Sequence, residues 1–316
     1  MPGFITHYLF GCEAIKDIND EKIRAILKEN RNVYSLGLQG PDVFFYFPYS
    51  FTGNRKRLAS VMHVYDTGKF LHNLIKEVAV LNEKEKNVGI AYLLGFLGHY
   101  SLDTKCHPYI YYRTGYLNKG KDYFGKHTDF ETDIDFLLLD RLMGKKVVDF
   151  RQENTIKLNN YSSKIVAKLL NNACKKTYPY IKTNDKIMEL SIRNFYYSNG
   201  ILNDKKGYKK KILSTAEMTL FGNVSAAPLF MVEDKEMIWD DPLNDKHNEW
   251  KNPWDLTFKS RKSFTELLDE AKSYYNGLIL NVGNEILDDG DIDYELLDRL
   301  IGNNSYHSGL DCSIPS

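Results

Sequence analysis

The apolar run Tyr92-Leu-Leu-Gly-Phe-Leu-Gly98 leads without a break into His99-Tyr-Ser-Leu-Asp103-Thr-Lys-Cys-His107. Helical periodicity spans 88–106. At 100° per residue, His99, Asp103 and His107 then form one stripe, a turn apart each time. The apolar run buries that helix, and a buried stripe of two histidines and a carboxylate is costly unless something pairs with it. A divalent cation supplies the pairing; a metal-free His–Asp hydrogen-bond network is the plainer alternative. Glycines at 95 and 98 weaken the helix and let another backbone approach it. Twenty residues on, His127-Thr-Asp-Phe-Glu131 repeats the i,i+4 spacing on a second predicted helix, 127–143. Five metal-competent side chains on two helices suffice for two zinc ions with open positions, which points to a metallohydrolase.

The rest of the chain is read around that core. Helical patterns recur at 20–30, 68–82, 154–176, 184–199, 210–221, 257–281 and 293–301, and no hairpin-bounded strand alternation stands out. The expectation is all-α. No linker divides the 316 residues. One domain over 1–316 is therefore expected, with a metal-binding core at about 1–135 and a helical scaffold at about 136–316. Lys+Arg and Asp+Glu both number 42, which argues against a polyanion-binding protein. The cysteines at 12, 106, 174 and 312 form no CxxC and read as reduced thiols. Met1-Pro-Gly-Phe-Ile-Thr-His7 is too short for a signal peptide, and no window approaches 18 apolar residues. A cytoplasmic protein is expected.

Six of the eight histidines lie within the first 127 residues, so the chemistry is expected in that half. Gly40-Pro41-Asp42 puts a carboxylate at a turn, Met62-His63-Val64 a histidine in an apolar setting, and Thr6-His7-Tyr8 another near the start. His72 lies nine residues after His63, on the opposite side of any shared helix, and is set aside.

The order His7, Asp42, His63, His99-x3-Asp103-x3-His107, His127-x3-Glu131 resembles the zinc-dependent phospholipase C family, over about residues 1–135. That family shares its fold with single-strand-specific zinc nucleases. The resemblance implies an all-helical fold and two or three zinc ions. It implies that His63, His99 and Asp103 hold one ion, that His107, His127 and Glu131 hold a second with Asp42 between or beside them, and that His7 helps hold a third with the N-terminal amine. A final glutamate, where the nucleases typically have aspartate, favours the lipase branch. Secreted relatives expose an N-terminal tryptophan as third-site chelator. Here, removal of Met1 leaves the Pro2 amine for that role. Choline-selective relatives carry a tyrosine after the aspartate, where this chain has Val43.

The reaction implied is phosphodiester hydrolysis by zinc-activated water, with Asp42 as the catalytic carboxylate. Phospholipid is the expected substrate, giving diacylglycerol and a phosphorylated headgroup. A single-strand nuclease or other phosphodiesterase on the same core is the alternative, and a non-catalytic metal-binding homologue stands behind both. Nucleic acid is not favoured as partner. Phe44, Phe45 and Tyr46 open the aromatic run 44–51 and are candidates for an apolar mouth, with core packing the plainer reading. The tryptophans clustered in 239–254 read as an ordered loop, the lysines in 205–211 as a solvated run, and the Tyr-rich stretch 108–124 as a cover over the metals.

Overall fold

One helix organises the rest. The computed structural model describes residues 3–46, 58–233, 235–288 and 290–314. In it, α6 (Glu83–Arg113) buries every residue from Val88 to Tyr111 except Lys105. A helix apolar on all sides belongs at the centre of a fold, and the others are laid around it.

Before it come α1 (Phe4–Lys16), α2 (Glu21–Glu29), α3 (Arg31–Gly37), a 3-10 helix (Gly40–Tyr46), α4 (Leu58–Val64) and α5 (Thr67–Ala79). After it come α7 (Tyr123–Met143), the single turn α8 (Gln152–Thr155), α9 (Asn160–Thr177), α10 (Asp185–Leu202) and α11 (Tyr208–Phe221). The chain closes with α12 (Phe264–Leu287) and α13 (Tyr294–Ile301). The fold is all-helical apart from a two-stranded antiparallel hairpin of β1 (Trp250–Asn252) and β2 (Asp255–Ser260), paired Trp250 to Ser260 and Lys251 to Lys259. No described helix is long and apolar enough to cross a membrane.

Two expectations are corrected here. The hairpin escapes a periodicity reading because β1 has three residues and β2 exposes nearly all of its side chains, so neither strand alternates. The helix expected over 257–281 instead starts at Phe264. Its N-cap Ser263 accepts from the Glu266 amide while the Glu266 carboxylate accepts from Ser263 N–H, a capping box that fixes the start.

Helices α3 and α12 pack on α6 most extensively, and glycines set how closely. A Cβ at Gly95 would stand 2.2 Å from the Tyr34 carbonyl oxygen, and one at Gly37 would stand 2.3 Å from that of Tyr92. The two backbones therefore touch, and Tyr275 of α12 locks the pair by donating to the Leu94 carbonyl at 2.7 Å. Gly95→Ala pits a helix-propensity gain of about 1 kcal/mol against overpacking of rigid backbone, and the clash should win. We expect a net loss of roughly 1–3 kcal/mol in urea unfolding. Gly277→Ala, on an exposed face of α12 with nothing within 4 Å of its Cβ, should instead gain about 0.5–1 kcal/mol.

Candidate metal centre

Five segments deliver the candidate ligands to one place. His99, Asp103 and His107 lie along α6; His127 and Glu131 share a face of α7; His7 comes from α1 and His63 from α4. Asp42 sits in the 3-10 helix, which Gly40 enters with φ +48°. A Cβ there would fall 2.4 Å from the His99 ring, so the close approach of this turn to α6 requires glycine. His7, His63, His99, Asp103 and His107 are all fully buried, at 0% exposure.

Their donor atoms form three groups, each within 4.8 Å: His7, His99 and Asp103; Asp42, His63 and His99; His107, His127 and Glu131. His99 Nε2 stands 3.0 Å from Asp103 Oδ2 and 4.0 Å from Asp42 Oδ1, while His63 Nε2 stands 3.3 Å from Asp42 Oδ1. The other Asp103 oxygen lies 3.2 Å from His7 Nε2. His127 Nε2 and His107 Nε2 lie 2.9 and 3.9 Å from Glu131 Oε1. Donors on a tetrahedral ion with bonds of about 2.0–2.1 Å stand about 3.3 Å apart, so these separations suit shared ions.

His107, His127 and Glu131 group as the resemblance implies, while the other two groups distribute their residues differently. His63 joins His99 through Asp42, and His7 joins Asp103, with its ring stacked on His99 at 4.2 Å. His99 stands at the junction of two groups, yet its single Nε2 lone pair serves one ion; Asp103, with one oxygen toward each of two histidines, can bridge. Pro2 and its amine lie outside the described residues.

The imidazoles are aimed. Nδ1 of His63 donates to the Ala59 carbonyl at 2.6 Å, that of His99 to Leu38 at 3.1 Å, and that of His107 to Tyr306 at 2.5 Å. Carbonyls only accept, so each Nδ1 carries the proton and each Nε2 presents a lone pair inward. Those three Nε2 atoms, Asp42 Oδ1 and both Asp103 oxygens are buried without a hydrogen bond among the described residues. Ionisation fits as well. Burial disfavours the Asp103 anion, but the adjoining His107 and His99 outweigh it and hold the carboxyl well below its ordinary value. Glu131 is likewise lowered against burial, by His127. Burial pushes His107 well below, and His127 below, the usual histidine range. Neutral imidazoles and ionised carboxylates are the states a metal takes up.

The neighbourhood accounts for the remaining candidates. Phe44 is fully buried in the core; Phe45 is half-buried, its ring 5.9 Å from that of His63. The Tyr46 side chain and 47–51 lie outside the described residues. Val43 is fully buried. Tyr111, Tyr116, Tyr123 and Trp254 stand as an aromatic wall beside His127, with Tyr111 4.8 Å from its ring and Trp254 4.6 Å from Tyr116. Trp254 thus borders the site, whereas Trp239 and Trp250 pack on Phe130 and Tyr109. Of the lysine run, Lys209 donates to the Ile201 and Asn203 carbonyls and Lys205 pairs with Glu233. His72 pairs with Asp298 and His247 faces Glu266, both away from the centre.

Two residues of the centre are not among the sequence candidates. His307 packs against His63, His107 and Tyr111. A lone histidine far from the others, in a Ser- and Gly-rich tail, carries no spacing signal. Asp135, one turn beyond Glu131, caps α1: it accepts from Ile5 N at 3.1 Å, Thr6 N at 2.8 Å and Thr6 Oγ1 at 2.6 Å. Gly3 admits this cap, since a Cβ there would meet the carboxylate at 2.1 Å.

The sequence profile of zinc dependent phospholipase C matches residues 6–186, more than half of the chain. No curated protein and no solved structure gives a match.

Burial pushes the Asp135 carboxyl up to about 7, against its hydrogen bonds from Thr6. A folded-state pKa above the unfolded value of about 3.9 stabilises the fold at acid pH, and that contribution is lost as pH rises through 7. Asp135→Asn keeps an acceptor for α1 and removes the titration. Its urea unfolding free energy should vary less between pH 5 and 8 than that of the parent.

Proposed function

The chain belongs to the zinc-dependent phospholipase C family, and from that premise we propose that it hydrolyses phosphodiesters, with phospholipid as substrate and diacylglycerol and a phosphorylated headgroup as products. One observation carries the reading. The Nε2 atoms of His63, His99 and His107, Asp42 Oδ1 and both Asp103 oxygens are buried without a hydrogen bond among the described residues, and backbone carbonyls aim the three imidazoles at a common space. Orphaned acceptors of this kind cost about 1–3 kcal/mol each unless something binds them, and zinc fits a set of imidazole and carboxylate ligands.

We assign His7, Asp42, His63, His99, Asp103, His107, His127 and Glu131 as ligands of two or three zinc ions. When bound, zinc supplies hydroxide near neutral pH and offsets the charge that develops at phosphorus. The protein's own part falls to Asp42. Its side chain is 13% exposed where that of Asp103 is closed off at 0%, so it can meet a water arriving from solvent. It orients that water along the line of attack and accepts its proton. Behind it, the Ala59, Leu38 and Tyr306 carbonyls keep the imidazoles from turning.

Val43 is buried and cannot touch a headgroup. Whatever is joined to the phosphate meets instead the wall of Tyr111, Tyr116, Tyr123 and Trp254. The same wall supports the second reading, a single-strand nuclease, because bases stack on aromatic side chains, and Tyr116, Tyr123 and Trp254 are only half-buried. The glutamate at 131 in place of aspartate keeps the lipase reading ahead.

Zinc analysis of the purified protein, followed by assay on a chromogenic phosphocholine ester, mixed phospholipids and single-stranded DNA, tests both. We expect two to three zinc ions per chain and phospholipid cleavage. Asp42→Asn should lower kcat by about 10²–10⁴-fold, and His99→Ala should lose bound zinc and weaken turnover at least about 100-fold. A protein without zinc would sink the proposal; cleavage of DNA alone would move it to the nuclease reading.

A further inference from the structure

The C-terminal segment beyond α13 folds back onto the metal centre. Tyr306 N–H donates to the His63 carbonyl at 2.8 Å, and the Tyr306 carbonyl takes the Nδ1 proton of His107. Ser305 Oγ reaches the same His63 carbonyl at 3.2 Å, and Asn252 Nδ2 holds the Ser308 carbonyl at 2.8 Å. Pro108 lies inside α6 and has no N–H for the Thr104 carbonyl. Gly309 occupies the space, at φ +67°, and a Cβ there would lie 2.3 Å from that oxygen. The turn 305–309 is therefore seated in a notch of α6, anchored on the helices that carry His63 and His107.

This seating delivers His307. Its ring centroid is 5.4 Å from that of His63 and 6.0 Å from that of His107, which belong to two different ligand groups, and 5.2 Å from Tyr111. None of the three groups includes it. Unlike both neighbouring histidines it is half-buried rather than closed off. The matched profile ends at residue 186, so nothing in the family assignment reaches it.

We infer that His307 is a substrate-binding residue, whose imidazole contacts a phosphoryl oxygen of a group lying across the gap between the His63 and His107 ligand groups. The inference rests on the metal-centre reading above and adds to it a contact from outside the matched span. An imidazole carries at least one N–H in either protonation state, so the contact does not require the ring to titrate. Its placement follows from geometry. A phosphate bound to ions held by those groups would come within reach of a side chain that neighbours both, and His307 neighbours both.

Inorganic phosphate is the probe. Isothermal titration of the full-length, zinc-loaded protein and of its His307→Ala variant, with zinc content measured on both, decides the matter. A hydrogen bond to a charged group predicts phosphate binding weakened roughly tenfold or more, with zinc content unchanged. Equal phosphate affinity in the two zinc-loaded proteins would overturn the inference and leave the metal centre standing. Loss of zinc from His307→Ala would overturn it differently, by making His307 a ligand. A parent protein that holds no zinc would remove the metal-centre reading and this inference together.

Discussion

Placing ionisable side chains on a helix with no solvent-facing side is the constraint on which the structure turns. Helix α6 has no polar face where His99, Asp103 and His107 could meet water, since its residues from Val88 to Tyr111 are buried apart from Lys105. A buried, unpaired carboxylate is among the most costly groups a protein can hold. For Asp103 the ion partners within 4 Å are the imidazoles of His7, His99 and His107, among the described residues. A divalent cation held by these groups would balance the anion. The free energy of metal binding then becomes part of the free energy of folding. The surrounding helices bring candidate ligands onto α6 from several sides.

That constraint explains what could be read in the sequence. Spacing of three and four within a helix is a local property, so the α6 stripe and the His127–Glu131 pair stand out unaided. His7, Asp42 and His63 enter through a family resemblance, because their convergence is a tertiary fact. The same limit hides His307, whose neighbours His63 and His107 lie 244 and 200 positions away. The uneven distribution of histidine points toward the first half of the chain and therefore away from it. The partition of ligands is likewise invisible in one dimension. Which oxygen of Asp103 faces which ring depends on the angle at which α1 crosses α6, and helical periodicity carries no information about that angle. The hairpin of β1 and β2 is missed for a different reason, since exposed strands bury no face and leave no period to detect.

The histidines are also held from outside the stripe. His99 leans on a carbonyl from the end of α3, and His107 on one from the C-terminal turn. These two orienting groups are backbone, so their support comes from chain path rather than from side-chain identity, whereas His127 Nδ1 faces the Thr114 and Tyr123 hydroxyls. Substitution cannot delete a carbonyl; only a shift of the backbone can. The glycines where these paths press on α6 or its ligands, Gly37, Gly40 and Gly309, are thus the points at which a side chain would displace the centre.

Helix α7 ties the parts together. On one face it carries His127 and Glu131, and one turn further Asp135 takes the free amides at the start of α1. The residue after Thr6 is His7, whose Nε2 meets Asp103. Movement of α7 along its axis therefore shifts the second ligand group directly and the His7 group through the α1 cap. Both groups converge on α6, where Asp103 and His107 are one turn apart. The three helices form a closed loop of contacts in which neither of these two groups can be displaced alone. A metal centre on these groups would need that rigidity, because its ligands must hold their spacing to within a few tenths of an ångström.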